Sequence, residues 1–350
     1  MDRVDDQQVD AHPGEWCLLD VLDLSDDDRN ILNALTSRFS DVRHFVLHRG
    51  LSNAVKVVSK PRSLFPFLIK LDSKTSIETE CIGDRLLRER TPPLSVPPFE
   101  GSSYSADRGG IAYRYVTGGR VRDLARRFDT AITDLSTYRS LQIIDDIYDV
   151  ILKKCHWLDG AFDMRPVQLP ELLDPEGEDD RWPALKAAYQ RAAAVCLRLL
   201  APHGVIHGDL HAKNVLLTRD DAPVLIDFAR ARSGQCQMAD FATFEAPLQF
   251  QVDSEVAAQY WEMQDLQYGP ELLIIPHSNA RLAACVHRVR SNLWQGCTRW
   301  GVKMPAREVD LVYRGFLMHA LLRLRRRFDN SPATRERAAD QAMLLSGAFS

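Results

Sequence analysis

Residues 205–229 constrain this chain more than any other stretch. They read Val-Ile-His-Gly-Asp-Leu-His-Ala-Lys-Asn-Val-Leu-Leu (205–217) and, after a polar turn, Val-Leu-Ile-Asp-Phe-Ala (224–229). Short apolar runs bounded by turn residues read as strands, here Asn214–Leu217 and Val224–Ile226 joined by Thr218–Ala222. The ends of these strands carry His207, Asp209, Asn214 and Asp227. A purely structural loop has little reason to concentrate ionisable groups beside apolar strands, whereas strand ends are common addresses for active-site groups. The set also has a chemical logic. Asp209, in a tight loop, can accept the proton of an incoming hydroxyl. Asn214 and Asp227, brought together by the hairpin, supply hard oxygen ligands for Mg2+, which uses few protein oxygens and completes its shell with phosphate and water. His207 stands beside Asp209 in the candidate catalytic loop, where its imidazole suits holding the backbone better than acting as a base.

The rest of the chain frames this segment. A length of 350 residues is long for one core and predicts two lobes. Up to about Gly14 the chain reads as a tail. Ser25 with Asp28 then resembles a capping box ahead of Ile31, Leu32, Leu35 and Phe39 at helical spacing. Short strands follow at Phe45–Leu47, Ala54–Val58, Phe67–Leu71 and Ile111–Val116, with a hairpin turn at Asp107-Arg108-Gly109-Gly110 and one helix over about Ser76–Arg90. Beyond Gly118-Gly119 the texture is helical. One long amphipathic stretch covers about Thr130–His156. A second face, marked by Leu185, Ala188, Tyr189, Ala192, Val195, Cys196 and Leu199, ends at His203-Gly204. Between them the acidic, proline-bearing segment 159–183 reads as a surface insertion. The expectation is an α+β chain: a tail and helix (1–40), a small antiparallel-sheet lobe (41–117) and a larger, mainly helical lobe (118–350).

Composition excludes several classes. With 45% hydrophobic and 26% charged residues the chain is an ordinary globular one. No apolar run is long enough to span a bilayer, and the acidic N-terminus lacks the features of a secretory signal, so a cytoplasmic location without a membrane partner is expected. The seven scattered cysteines form no C-x-x-C pair and read as reduced, mostly buried thiols. A net charge of −4 gives no general attraction to nucleic acid. The arginines at 323 and 325–327 read as a solvated helix face or a helix C-terminus.

The motif H-G-D-L-H-A-K-N with I-D-F downstream resembles the catalytic and metal-binding loops of the aminoglycoside phosphotransferase and choline kinase superfamily, a branch of the protein-kinase-like fold. That resemblance implies a bilobal fold and an ATP- and Mg2+-dependent transfer of the γ-phosphoryl group to a hydroxyl acceptor. It implies Asp209 as the base and Asn214 and Asp227 as metal ligands. Gly50, Ser52 and Asn53, ahead of Val55–Val58, are similar to the loop covering the phosphates. Lys70, ending Phe67-Leu68-Ile69-Lys70, matches the phosphate-pairing lysine; its expected partner is Glu80, with Glu78 the alternative. Tyr115 and Val116 fall where the hinge would bond adenine. Met238-Ala239-Asp240-Phe241-Ala242 resembles the helix start whose aspartate braces the catalytic loop.

Some positions depart from the protein-kinase pattern. The nucleotide loop has a single glycine, Ala229 replaces the glycine of D-F-G, and His211 stands where protein kinases keep a lysine. I-D-F-A-R-A followed by D-F-A and Glu245 also resembles a kinase-like ternary-complex domain of bacterial conflict systems. That narrower likeness implies an alternative, a nucleotide-binding scaffold or pseudokinase whose partner is a component of a defence complex. The acceptor itself stays open, a small hydroxylated molecule being favoured over a protein.

Overall fold

The computed structural model describes residues 24–39, 41–49, 54–61, 66–114, 126–132, 134–156, 163–174, 179–249, 280–299, 301–326 and 332–349. Packing divides the chain into two units, 1–81 with 97–124 and 82–96 with 125–350.

The first unit is a helix on a sheet. Helix α1 (Asp26–Thr36) starts where Ser25 Oγ accepts from the Asp28 amide at 3.1 Å. The capping box is half-made, because the Asp28 carboxylate turns to Arg108 at 2.9 and 3.2 Å instead. Strands β1 (Arg43–Arg49), β2 (Val55–Lys60) and β3 (Phe67–Ser73) are followed by helix α2 (Lys74–Arg88), whose residues from Ile82 onward belong to the second unit, then β4 (Phe99–Ser105) and β5 (Arg108–Arg114). The sheet runs β1-β2-β3-β5-β4 with antiparallel pairs throughout. Ile31 and Leu32 of α1 bury against Val55, Val57, Phe67, Ile69, Leu71 and Ala112, so this helix shares the core of the sheet.

Two expectations change here. The hairpin turn is Ala106-Asp107, and Gly109 and Gly110 lie inside β5. Their role is close packing: a Cβ on Gly110 would lie 2.5 Å from Ile31 Cγ2, and one on Gly109 3.0 Å from Tyr104 and 3.1 Å from Ile77. Strand β4 gave little hydrophobic signal because it is an edge strand, Phe-Glu-Gly-Ser-Ser-Tyr-Ser, whose two aromatic residues are exposed and whose others are small or polar.

The second unit is mostly helical. The single helix expected over Thr130–His156 is broken into α3 (Phe128–Ala131), which follows the two-residue β6 (Arg126–Arg127), then α4 (Thr137–Asp145) and α5 (Lys153–His156). Ser136 ends the continuity by capping α4, its Oγ accepting from the Arg139 amide at 3.2 Å. Between α4 and α5 a π-helical stretch, Asp146–Ile151, rotates Tyr148 onto Phe241, with ring centroids 4.0 Å apart. Strand β7 (Asp163–Pro166) lies in the segment read as a surface insertion and pairs with β8 (Leu200–Ile206). Helix α6 (Trp182–Cys196) therefore stops before His203-Gly204, which belong to β8. Gly204 is needed there because a Cβ would meet the Cys155 carbonyl at 2.6 Å. Strands β9 (Val215–Leu217), β10 (Pro223–Leu225) and β11 (Arg232–Cys236) complete two small sheets, β10-β9-β6 and β11-β8-β7. Helices α7 (Met238–Gln249), α8 (Ala280–Arg299), α9 (Ala306–Arg326) and α10 (Pro332–Ser346) follow. No helix among the described residues is long and apolar enough to cross a membrane.

Candidate active site

Strand β8 delivers the chain into the loop His207–His211, and one carboxylate holds that loop. Asp240, wholly buried in the first turn of α7, accepts from the amides of His207 and Gly208, both at 2.8 Å, and from His156 Nε2 at 3.0 Å. These donors, with the positive end of the helix, offset the cost of burying the charge. The loop passes Arg230 so closely that position 208 must be glycine. Its φ is +78°, and a Cβ would lie 2.2 Å from the Arg230 carbonyl. His207 Nε2 donates to the carbonyl of Ile226 at 3.0 Å and ties the loop to the segment that carries Asp227 beyond β10.

Asn214 and Asp227 leave the same end of the β9–β10 hairpin. Val215 pairs with Leu225, and the Ile226 amide donates to the Asn214 carbonyl at 3.0 Å. The Asn214 side-chain amide nitrogen donates to the Asp209 carbonyl at 3.0 Å, which leaves its oxygen as the acceptor. Asp227 has a φ of +67°, in the left-handed region that aspartate and asparagine enter more readily than other residues with a side chain. Among the described residues no three His, Cys, Asp or Glu side chains gather to hold an ion. An amide oxygen plus a carboxylate is too sparse for an all-protein cage and fits a Mg2+ ion completed by phosphate and water.

The candidate base is not alone. Arg323 of α9 donates to Asp209 Oδ1 at 3.2 Å, and Arg230 Nε lies 3.9 Å from Oδ2. Burial alone would raise the Asp209 carboxyl, but its electrostatic interactions with His211, Arg323 and Arg230 outweigh it and hold it below the ordinary aspartate value. Burial pushes His211 down to about 4 against the opposing pull of Asp209, so at neutral pH that imidazole is uncharged and the arginines carry the field. Sequence reasoning missed this pair. Arg323 was read as part of a basic helix face, and nothing in its spacing links it to a loop more than a hundred residues earlier. Arg230 had a signal, standing three residues after Asp227. His156 had none.

In the first unit, Lys70 Nζ donates to Glu80 Oε2 at 2.7 Å, with side chains 10% and 2% exposed. Tyr113 donates to the other oxygen at 3.4 Å. Glu80 is therefore the partner, and Glu78 is exposed on α2. The strand places Lys70 between Lys56 on β2 and Ile111 on β5. Gly50, Ser52, Asn53, Tyr115 and Val116 lie outside the described residues.

A small antiparallel sheet with a Lys–Glu pair, and a helical unit whose loop and hairpin carry Asp209, Asn214 and Asp227, are the parts of a protein-kinase-like fold. Solved structures bear out the resemblance. The aminoglycoside phosphotransferase APH(4)-Ia, as a thermostable variant in ternary complex with ADP and hygromycin B, superposes with a TM-score of 0.53 at 12% identity over 90% of this chain and 97% of its own. The choline kinase LicA from Streptococcus pneumoniae gives a TM-score of 0.52 at 12% identity, over 91% of this chain and 99% of that one. At this identity the likeness establishes the fold. Residues 181–297 match the family described as ternary complex associated domain 9, in line with the narrower likeness read around Asp227 and Glu245. No curated protein sequence matches the chain.

Proposed function

We propose that the protein transfers the γ-phosphoryl group of ATP to the hydroxyl of an acceptor molecule, with Mg2+ held by Asn214 and Asp227. The observation that carries this reading is the hydrogen bond from the Asn214 amide to the Asp209 carbonyl, with Asp227 at the same hairpin end. It ties the proposed base to one of the proposed oxygen donors, and the hairpin brings the other to the same end. Asp209 orients the acceptor hydroxyl and takes its proton as the oxygen bonds to phosphorus and ADP leaves. The depressed carboxyl of Asp209 keeps it ionised, and so able to accept that proton, throughout the neutral range. Mg2+, when bound, neutralises the charge of the phosphate oxygens. Lys70, fixed by Glu80, pairs with the α and β phosphates.

Asp209→Ala is expected to lower ATP-dependent turnover by about 10²- to 10⁴-fold, the range of a lost general base. Binding of an ATP analogue, followed by calorimetry, stays within a few-fold of wild type. Turnover near the wild-type level would defeat the assignment. The match over 181–297 supports a second reading, a nucleotide-binding scaffold within a ternary complex. ATP bound by the wild-type chain with neither hydrolysis nor phosphate on any co-purifying molecule would favour the scaffold.

A further inference from the structure

The support beneath the proposed base contains a side chain with no role in the proposed chemistry. His156 closes α5, and both its backbone and its ring meet the elements that carry the loop His207–His211. The backbone lies against β8, where a Cβ on Gly204 would stand 3.2 Å from the His156 carbonyl. The ring, wholly buried, donates from Nε2 to Asp240 Oδ2 at 3.0 Å. That oxygen also accepts from the His207 amide, and Oδ1 accepts from the Gly208 amide, one residue before Asp209.

Packing alone does not explain a histidine here. Its ring neighbours are aromatic, Phe241 with centroids 5.4 Å away and Tyr148 at 6.5 Å, and an apolar ring would suit them as well. Nδ1 is buried and makes no hydrogen bond among the described residues, a desolvation cost that phenylalanine would avoid. The polar gain of the side chain is therefore its bond to Asp240. The two backbone amides tie Asp240 to the loop it has to hold, whereas the imidazole ties it to a separate helix and gives the carboxylate a reference outside that loop. One residue separates α5 from the π-helical stretch Asp146–Ile151, a rare geometry that recurs at functional sites.

From this arrangement we infer that His156 is a positioning residue for the proposed transfer: through Asp240 it sets the loop so that Asp209 faces the acceptor hydroxyl. The inference rests on the phosphotransfer reading and adds to it a residue that touches neither nucleotide nor acceptor. No proton passes through His156. Its Nε2 hydrogen stays on the bond to Asp240, and the acceptor's proton goes to Asp209.

The test separates placement from packing. His156→Phe keeps a ring beside Tyr148 and Phe241 and removes the donor, while His156→Gln gives up the ring but has an amide nitrogen able to reach where Nε2 stood. With the full chain and Mg2+ and ATP as the probe, phosphate release by His156→Phe is expected to fall about 10- to 100-fold in kcat, the scale of a small misplacement, with KM for ATP within about twofold. His156→Gln should recover most of that loss. Amide hydrogen exchange gives a readout that needs no turnover. In His156→Phe the amides of His207 and Gly208 should lose protection by about tenfold and in His156→Gln regain it, while those of the β9–β10 hairpin keep theirs. Tyr148→Phe removes a buried hydroxyl with no partner among the described residues from the same aromatic cluster, and should leave kcat unchanged. If His156→Phe does not fold, His156→Asn takes its place, polar like glutamine but one methylene shorter and out of reach of Asp240. Wild-type turnover by His156→Phe, an equal loss in His156→Phe and His156→Gln, or protection lost evenly across loop and hairpin would overturn the inference. A wild-type chain that releases no phosphate, yet shows the loss and recovery confined to His207 and Gly208, would leave the brace standing and remove the phosphotransfer reading instead.

Discussion

The two units handle opposite charges in contrasting ways. In the first, Lys70 and Glu80 are sealed, with side chains 10% and 2% exposed and a tyrosine hydroxyl on the remaining oxygen. In the second, Asp209 and Arg323 are 26% and 33% exposed, with Arg230 more open still. A sealed pair cannot be exchanged for water or ligand without a large desolvation cost, so it fixes geometry. An open pair is weak and replaceable, so it can respond to what arrives. The contrast follows burial rather than the unit. The second unit has its own sealed pair, Glu245 with Arg290 at 2.5 to 3.1 Å, both almost wholly buried and joined by the Tyr313 hydroxyl.

Breaking the sealed pairs should have the largest effect. Glu245→Ala strands a buried guanidinium and Lys70→Met a buried carboxylate, each costing about 3–5 kcal/mol in denaturant unfolding. In the first unit, adding Glu80→Leu to Lys70→Met should recover most of that loss. A single variant that costs no more than a surface substitution would dissolve the contrast.

Acid probes the other side. His211 and His319 have folded values of about 4 and about 3, below their ordinary 6.5. The unfolded chain therefore binds protons that the folded chain refuses. Stability is fully present above pH 6.5 and falls as pH drops toward 4, by up to about 1.4 kcal/mol per unit for each histidine. His319→Asn should flatten that slope in a pH series of melting curves. Asp209 adds a loss only at lower pH, since its folded value lies below the ordinary 3.8. The smallest effect is expected for Arg323→Gln, within about 1 kcal/mol in thermal unfolding. A cost as large as that of Lys70→Met would show that the open pair is a structural strut.

How much of this was legible in the sequence depended on whether a residue's role was local. Asp209, Asn214 and Asp227 stand on one loop and one hairpin, so spacing along the chain was enough to group them. Lys70 and Glu80 stand ten residues apart across a strand and the following helix, and a charge at the end of an apolar strand announced the need for a partner. Arg323 is separated from Asp209 by half the second unit, and a guanidinium on a helix has the same sequence signature whether it meets water or a carboxylate. Continuity was misjudged for a similar reason. Apolar periodicity persisted across Thr130–His156, while the breaks came from Ser136 as a cap and from Tyr148 stacking on Phe241, a contact nearly a hundred residues away. Gly109 and Gly110 looked like a turn because glycine marks turns and tight packing alike.

Gly83, on α2, has a bearing on how the protein could be inhibited. A Cβ there would lie 2.1 Å from the carbonyl of Phe228, the residue after Asp227, and 3.0 Å from Ala231 Cβ. A helix and a loop that meet backbone to backbone leave no room for a spacer, so a single methyl would work as a wedge. Gly83→Ala carries no charge and touches no proposed ligand, yet it would force the helix and the backbone at Phe228 apart. The place to disable the proposed ion site from a distance is therefore a bare helix position that gives no chemical hint of its importance.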